Sequence, residues 1–178
     1  SDIVPLRKLP IERFVELGRR LLATDPRLSV VITGAPEECS AGEAMAAAIG
    51  SPRAISLAGR TTLRQLLVLY CLCDVLVTND SGPAQLAAMT SIDTVVLFGP
   101  ETPQLWRPLG GRRTHVLWAS LACSPCVNAL NFRFSCCNHA RCMEEISVQQ
   151  VMDAVLAALR LRGRSASQAA QLAAVSAA

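Results

Sequence analysis

Residues 77–86 read Val-Thr-Asn-Asp-Ser-Gly-Pro-Ala-Gln-Leu, and this stretch decides the fold. The β-branched residues at its start are typical of the end of a strand, and the small polar residues in its middle are typical of a turn. Pro83 is typical of the first turn of a helix. A strand that ends in a tight loop and continues as a helix is the building unit of α/β domains. The stretch therefore predicts an α/β fold.

The same stretch is the strongest candidate for a binding site. Free backbone N–H groups and the helix dipole favour an anion where a helix begins, and Gly82 lets a ligand approach the backbone. Ser81 can add a hydroxyl donor, while Asp80 can cap the helix or accept a hydrogen bond from a sugar hydroxyl. These residue types also make a good turn and helix cap, so the local pattern leaves both interpretations open.

Short apolar runs alternate with helical segments on both sides of this stretch. The runs are continuous in hydrophobicity, which is typical of parallel strands covered on both faces. We therefore predict a Rossmann-like, doubly wound parallel sheet of the α/β class. The predicted strands are residues 28–33, 54–58, 75–78, 94–98 and 115–118, and the predicted helices are residues 10–23, 37–49, 61–71, 84–89 and 147–161.

The order of the elements predicts that one strand is missing. A doubly wound domain normally starts with a strand, whereas this chain starts with a loop followed by a helix. We expect the chain to be a piece of a longer protein that lacks the first strand of its sheet. In the strand order 3-2-1-4-5-6 the missing strand would lie at the centre.

Composition excludes several classes of protein. The 178 residues include 17 basic and 14 acidic side chains, and the net charge of +3 is too small to indicate a nucleic-acid-binding protein. The apolar share of 51% excludes global disorder. The longest apolar run, residues 66–73, is far short of the roughly 20 residues that span a bilayer. No Gly-x-Gly-x-x-Gly or Gly-x4-Gly-Lys-Ser/Thr motif supports a nicotinamide or P-loop site.

Two further loops follow predicted strands at the same edge of the sheet. One is Gly59-Arg60-Thr61-Thr62, in which Thr61 or Thr62 caps the next helix, and the other is residues 34–38. Taken alone, the first loop favours a plain capping role over a binding role, and the second leaves both interpretations open. Because open α/β sheets bind ligands at the carboxyl ends of their strands, the shared edge favours a binding role.

Five of the eight cysteines lie between residues 123 and 142, in a pattern that also holds His139. Two thiolate pairs from this segment could hold zinc, while free thiols and disulfides are equally open alternatives. A cysteine-nucleophile enzyme would need a positioned histidine base, and the pattern around the two histidines provides none. The cysteines of the segment are Cys123, Cys126, Cys136, Cys137 and Cys142.

Taken together, these segments resemble the carboxyl-terminal domain of glycosyltransferase family nine, the ADP-heptose:lipopolysaccharide heptosyltransferases. The resemblance covers about residues 5–155 and implies half of a GT-B enzyme, in which two Rossmann-like domains face each other across a cleft. The carboxyl-terminal domain of such an enzyme binds the nucleotide-sugar donor. The matching stretches are Arg7-Lys8-Leu9-Pro10, Val31-Ile32-Thr33-Gly34, residues 55–61, residues 78–83, residues 97–100, residues 106–110, Cys123-Ser124-Pro125-Cys126 and Cys142-Met143.

The resemblance also implies roles for individual residues. Lys8, the one lysine beside sixteen arginines, would contact the donor diphosphate. The phosphate and sugar cradle would be Asp80, Ser81 and Gly82, and Gln85 would also belong to the donor-binding residues. The loop of Gly59, Arg60 and Thr61 would lie against the adenosine, and Glu37 or Glu38 would reach the ribose.

Gln85 and the catalytic base are the departures that matter. Gln85 stands where the family often has histidine, so a proton-transfer or charge role there is in doubt. The base belongs to the amino-terminal domain, which this chain lacks, so no catalytic residue is assigned. We therefore expect the chain alone to bind a nucleotide sugar weakly and not to turn over.

The implied reaction transfers heptose or a related sugar from ADP-heptose, or another nucleotide sugar, to lipopolysaccharide core or another glycan. It implies no cofactor and no metal, and a cytoplasmic enzyme in peripheral contact with the inner membrane. The donor domain would span residues 1–161 with a cysteine-rich loop at 120–143, and the Ala/Ser-rich residues 162–178 would be a flexible tail. The alternative is a non-catalytic sugar-nucleotide or zinc-knuckle interaction module; a GT-B epimerase would need acid/base carboxylates that the sequence does not indicate.

Overall fold

The computed structural model describes residues 5–109, 111–128, 131 and 134–176, and at 5, 112 and 164–176 only the backbone. Within these residues five strands alternate with helices in the predicted order. The strands are β1 (Val30–Ile32), β2 (Ala54–Ser56), β3 (Val75–Asn79), β4 (Asp93–Phe98) and β5 (Thr114–Trp118). The helices are α1 (Ile11–Thr24), α2 (Cys39–Ile49), α3 (Leu63–Leu72), α4 (Gly82–Ala87), α5 (Pro103–Trp106), α6 (Arg141–Glu144) and α7 (Val148–Ser176), with 3-10 turns at Pro5–Arg7, Pro36–Glu38 and Gly111–Arg113.

The strands pair in two groups, and every pair is parallel. β1 pairs with β2, and β3, β4 and β5 form a second sheet in that order. These pairings agree with the predicted doubly wound parallel topology, which is confirmed.

Helix α1 packs against both groups of strands. Its residue Leu17 belongs to the core that contains Val95 and Leu97 of β4, whereas Leu22 belongs to the core that contains Ile49 and Ala54. An amphipathic helix normally turns one apolar stripe toward one core. Here two adjacent faces of the helix serve two cores, Phe14, Leu17 and Leu21 packing on one and Val15 and Leu22 on the other, and α1 thereby ties the β1–β2 pair to the larger sheet.

Several element boundaries differ from the sequence prediction. Helix α3 is capped by Thr62, not Thr61: the Thr62 hydroxyl accepts from the Gln65 N–H at 3.3 Å, and Oε1 of Gln65 accepts from the Thr62 N–H at 2.9 Å. This is a capping box, which needs glutamine three residues after the cap. Helix α7 continues to Ser176, well past the predicted end at residue 161, because alanine, glutamine and arginine are strong helix formers. The flexibility of residues 162–178 stays a prediction.

The short helices α5 and α6 were not predicted. Four residues are too few to show helical periodicity, and α5 depends on a cap, since the Thr102 hydroxyl accepts from the Gln104 N–H at 3.3 Å. None of the helices in the described part of the chain is both long and apolar enough to cross a membrane.

Two glycines in helices provide a matched test of this packing. A Cβ at Gly42 in α2 would lie 2.7 Å from Cβ of Ala58 and 2.7 Å from Oγ of Ser56, whereas a Cβ at Gly163 in α7 would meet nothing within 4 Å. We expect Gly42→Ala to lower the free energy of unfolding by about 1–3 kcal/mol. Gly163→Ala should raise it by about 0.5–1 kcal/mol, because alanine is the better helix former. Urea unfolding followed by circular dichroism measures both, and equal stability of the two variants would contradict the packing described.

Candidate functional site

A cleft of about 180 Å³ opens at the carboxyl ends of β3 and β4. Four of the site residues predicted from the sequence come together here: Asp80, Ser81, Gly82 and Gln85. The structure thus brings these four residues to one cleft, and their role in binding stays a prediction. The other residues that line the cleft are Arg7, Glu101 and Trp106.

The turn between β3 and α4 is held by its own side chains. Oγ of Ser81 donates to the Asn79 carbonyl at 3.0 Å and lies 3.3 Å from Oγ1 of Thr78. The Asp80 N–H donates to the carbonyl of Leu97 in β4 at 3.0 Å, and the Asp80 side chain is buried. Helix α4 has six residues and its N-cap is Ser81, not Asp80, so Asp80 is not the helix cap.

Gly82 leaves open space beside the turn. A Cβ built at this position would meet no heavy atom within 4 Å. The absence of a side chain at Gly82 therefore does not serve packing within the described residues. It exposes the backbone at the edge of the cleft, as expected where a ligand approaches the main chain closely.

The positive charge in the cleft comes from Arg7 rather than Lys8. Lys8 is exposed and is not among the residues that line the cleft. Arg7 forms an ion pair with Glu101, whose side chain is only 2% exposed. The segment is anchored nearby, because the Leu9 N–H donates to Oδ1 of Asn79 at 3.1 Å.

Arg7 also carries an unused hydrogen-bond donor. Its Nε is buried and has no hydrogen-bond partner among the residues that the structure describes. Buried polar groups are normally paired, and an orphaned donor at a cleft marks a place that an acceptor from a ligand can fill. Sequence reasoning selected the neighbouring lysine and missed both Arg7 and Glu101. The position of Glu101 directly after the β4–Gly99–Pro100 strand end was the available signal, since ligands bind at such ends.

Gln85 lines the cleft and stabilises one side of it. Its Nε2 donates to the Trp106 carbonyl at 2.9 Å, which ties α4 to α5. An amide has no titratable proton near neutral pH, so Gln85 cannot transfer one. The Trp106 side chain, 37% exposed, lies at the mouth of the cleft beside it.

The loop of Gly59, Arg60 and Thr61 lies at the carboxyl end of β2 and does not line this cleft. Gly59 has φ +70°, and its Cβ would lie 3.1 Å from Cα of Pro36, so glycine is required where the two loops touch. Arg60 forms an exposed ion pair with Glu43 at 2.7 Å.

The cysteine-rich loop lies against the end of β4. The N–H groups of Cys126 and Val127 both donate to the Pro100 carbonyl, at 2.9 and 3.1 Å, and Oγ of Ser124 donates to the Gly99 carbonyl at 3.0 Å. All eight cysteines are free thiols. Among the described residues, no three His, Cys, Asp or Glu side chains are grouped so as to hold a metal ion, so the structure gives the zinc hypothesis no support.

Comparisons with known proteins place the chain among sugar transferases. The sequence model of glycosyltransferase family 9 (heptosyltransferase) matches residues 6–133. Lipopolysaccharide heptosyltransferase 2 of Escherichia coli is 33% identical over 112 residues, which cover 61% of this chain and 32% of that protein. The chain thus spans about a third of the length of the curated relatives it matches.

Solved structures agree with this result. The ADP-heptose lipopolysaccharide heptosyltransferase II of E. coli is similar with a TM-score of 0.74 at 25% identity, covering 92% of this chain and 45% of that chain. The E. coli heptosyltransferase WaaC with ADP gives a TM-score of 0.65 at 18% identity, covering 89% and 42%. The predicted Rossmann-like GT-B fold is confirmed.

The cysteine-rich loop makes a testable prediction about thiol reactivity. Cys142 is buried, and burial together with the nearby Cys126 thiol raises its pKa, whereas Cys123 is exposed. Because only the thiolate reacts and a raised pKa lowers its fraction at pH 8, iodoacetamide should modify Cys123 well before Cys142. Peptide mass spectrometry measures both rates, and equal rates in urea serve as the control. Labelling of Cys142 as fast as Cys123 in the folded chain would contradict this packing.

Proposed function

The chain belongs to glycosyltransferase family 9, and on that premise we propose that it is the donor-binding part of a sugar transferase. The proposed reaction moves heptose, or a related sugar, from ADP-heptose or another nucleotide sugar to lipopolysaccharide core or another glycan. The observation that carries the proposal is the buried Nε of Arg7, which has no hydrogen-bond partner among the described residues, in a cleft bordered by Asp80, Ser81 and Gly82.

Arg7 suits the diphosphate of such a donor. A guanidinium presents a planar fork of N–H groups that matches two oxygens of a phosphate, and charge-assisted hydrogen bonds of this kind are strong. Glu101 takes one end of the fork through Nη2, which leaves Nε for a ligand oxygen. Lys8, one residue further along, is exposed and can add long-range attraction to the same anion.

The turn after β3 supplies groups for the sugar and the phosphates. The Asp80 carboxylate can accept from sugar hydroxyls, and Ser81, which lines the cleft, can donate from its backbone N–H while its hydroxyl proton goes to the Asn79 carbonyl. Open space beside Gly82 lets a ligand reach the main chain. Together these groups form the cradle that the resemblance implies.

The proposed chemistry asks this chain to stabilise the leaving group. The bond from the sugar's anomeric carbon to the diphosphate oxygen breaks while a bond to an acceptor hydroxyl oxygen forms, so negative charge develops on the diphosphate. A fixed guanidinium stabilises that charge without reorganising during the reaction. The acceptor's proton passes to a base that we place in another domain, since Gln85 carries no titratable group.

The adenosine end of the donor would lie toward the loop of Gly59, Arg60 and Thr61. Oε2 of Glu38 already accepts from the Ala35 N–H at 2.9 Å, whereas Glu37 is exposed. We therefore assign the ribose contact to Glu37. Cytoplasmic location, peripheral contact with the inner membrane and the absence of a required cofactor stay predictions.

The assignment of Arg7 is tested by nucleotide binding. Arg7→Gln should weaken ADP binding by about tenfold or more, because a charge-assisted hydrogen bond is lost, while adenosine affinity stays unchanged. Lys8→Gln is the matched control and should change ADP affinity by about threefold at most. Isothermal titration calorimetry measures the affinities of the purified original chain and of both variants for ADP and for adenosine. A larger loss in Lys8→Gln than in Arg7→Gln would overturn the assignment and favour Lys8.

A substitution at Gly82 tests ligand binding independently of the stability of the fold. Gly82→Ala places a methyl group in the open space beside the turn, so ADP binding should weaken by about tenfold. The free energy of unfolding should change by less than about 1 kcal/mol, because alanine is favourable in a helix and meets no neighbour. Calorimetry and urea unfolding on the same sample test both parts. Unchanged ADP affinity would show that the ligand does not approach this part of the backbone.

A further inference from the structure

We propose that Glu101 is a positioning residue: its buried carboxylate holds the Arg7 guanidinium in the cleft in the orientation that a diphosphate needs. The inference deepens the proposed function and rests on it. No sequence motif assigns a role to Glu101, and its partner is 94 residues away in the chain.

Arg7 cannot be positioned by its own element. It ends a 3-10 turn of three residues, and the next fixed point is Leu9, whose N–H is bound by Asn79. An arginine side chain has many rotamers, and one attached to so short an element would sample the solvent. The Arg7 side chain is nevertheless only 20% exposed, and the ion pair with Glu101 accounts for this.

Glu101 can hold Arg7 because its own backbone is fixed. It follows Pro100, whose carbonyl accepts the N–H groups of Cys126 and Val127. A Cβ on Gly99, the residue before, would lie 2.5 Å from Sδ of Met143, so that side is packed tightly as well. The cysteine-rich loop thereby acquires a role: it supports the strand end that carries Glu101.

Two effects of Glu101 on an anion oppose each other. The carboxylate repels a phosphate, so removing it would strengthen binding if charge alone mattered. It also restricts Arg7 to one orientation, so removing it would weaken binding if orientation mattered more. Burial of the carboxylate at 2% exposure makes the ion pair rigid, and we infer that orientation dominates.

The experiment measures the affinity of the purified chain for ADP and for adenosine by calorimetry. Glu101→Gln should weaken ADP binding by about tenfold and leave adenosine binding unchanged, because the effect reaches only the phosphates. Glu101→Asp, which keeps the charge, should stay within about threefold of the original ADP affinity. Glu16→Gln breaks an exposed ion pair with Arg20 on α1 and is the matched control, without effect on either ligand.

Each other outcome overturns the inference. Unchanged or tighter ADP binding in Glu101→Gln would show that repulsion dominates, and an equal loss of ADP and adenosine binding would show a merely structural role. If Glu101→Gln does not fold, Arg7→Gln is compared with Arg7→Gln/Glu101→Gln, which removes both charges together. Their ADP affinities should agree within about twofold, and a larger difference would overturn the inference. A folded, unchanged chain that binds no ADP would refute the proposed function itself.

Discussion

The ion pair between Arg7 and Glu101 is the interaction on which the cleft depends. It joins the start of the described chain to the end of β4, a strand that is buried along its whole length between β3 and β5. A buried carboxylate requires a counter-charge, so Glu101 draws Arg7 inward. The rigid strand end thereby determines where a flexible arginine lies, and the groups that face a ligand are preorganised.

The charges of the cleft also describe the ligand that fits it. Asp80 and Glu101 contribute two carboxyl groups, and Arg7 contributes one guanidinium whose Nε has no hydrogen-bond partner in the described part of the chain. A bare polyanion would meet two like charges there. A molecule that presents a phosphate to Arg7 and hydroxyl groups to Asp80 satisfies both kinds of group, and a nucleotide sugar has this combination.

Sequence patterns predicted the strands better than the charged residues of the site. All five strands were recognised because each is a continuous apolar run, and the parallel topology followed from that pattern. The turn of Asp80, Ser81 and Gly82 was found because glycine, proline and small polar residues mark a strand end. The boundaries of the helices were predicted less well. Helix α7 runs on past Gly163 to Ser176 because no strong helix breaker follows that glycine, whereas the Ala/Ser-rich composition of this segment suggested a tail.

Sequence reasoning selected Lys8, whereas the cation that lines the cleft is Arg7, and the difference has a physical reason. Arg7 and Lys8 are neighbours in a turn, where no periodicity tells which side chain faces inward. Arg7 faces inward because it pairs with Glu101, which lies 94 residues later in the chain. Sequence reasoning without long-range contacts cannot identify this partner. Glu101 itself follows glycine and proline, which is typical of an exposed turn, yet it is buried.

The central claim, that this cleft binds the diphosphate of a nucleotide sugar, is tested most directly by nuclear magnetic resonance. Titration of the isotope-labelled chain with ADP should shift the Nε–H signal of Arg7 and the backbone amides of Ser81 and Gly82, with saturation at a common concentration. Adenosine should leave the Arg7 signal in place. If ADP shifts none of these three signals while others move, the ligand binds elsewhere and the account is wrong.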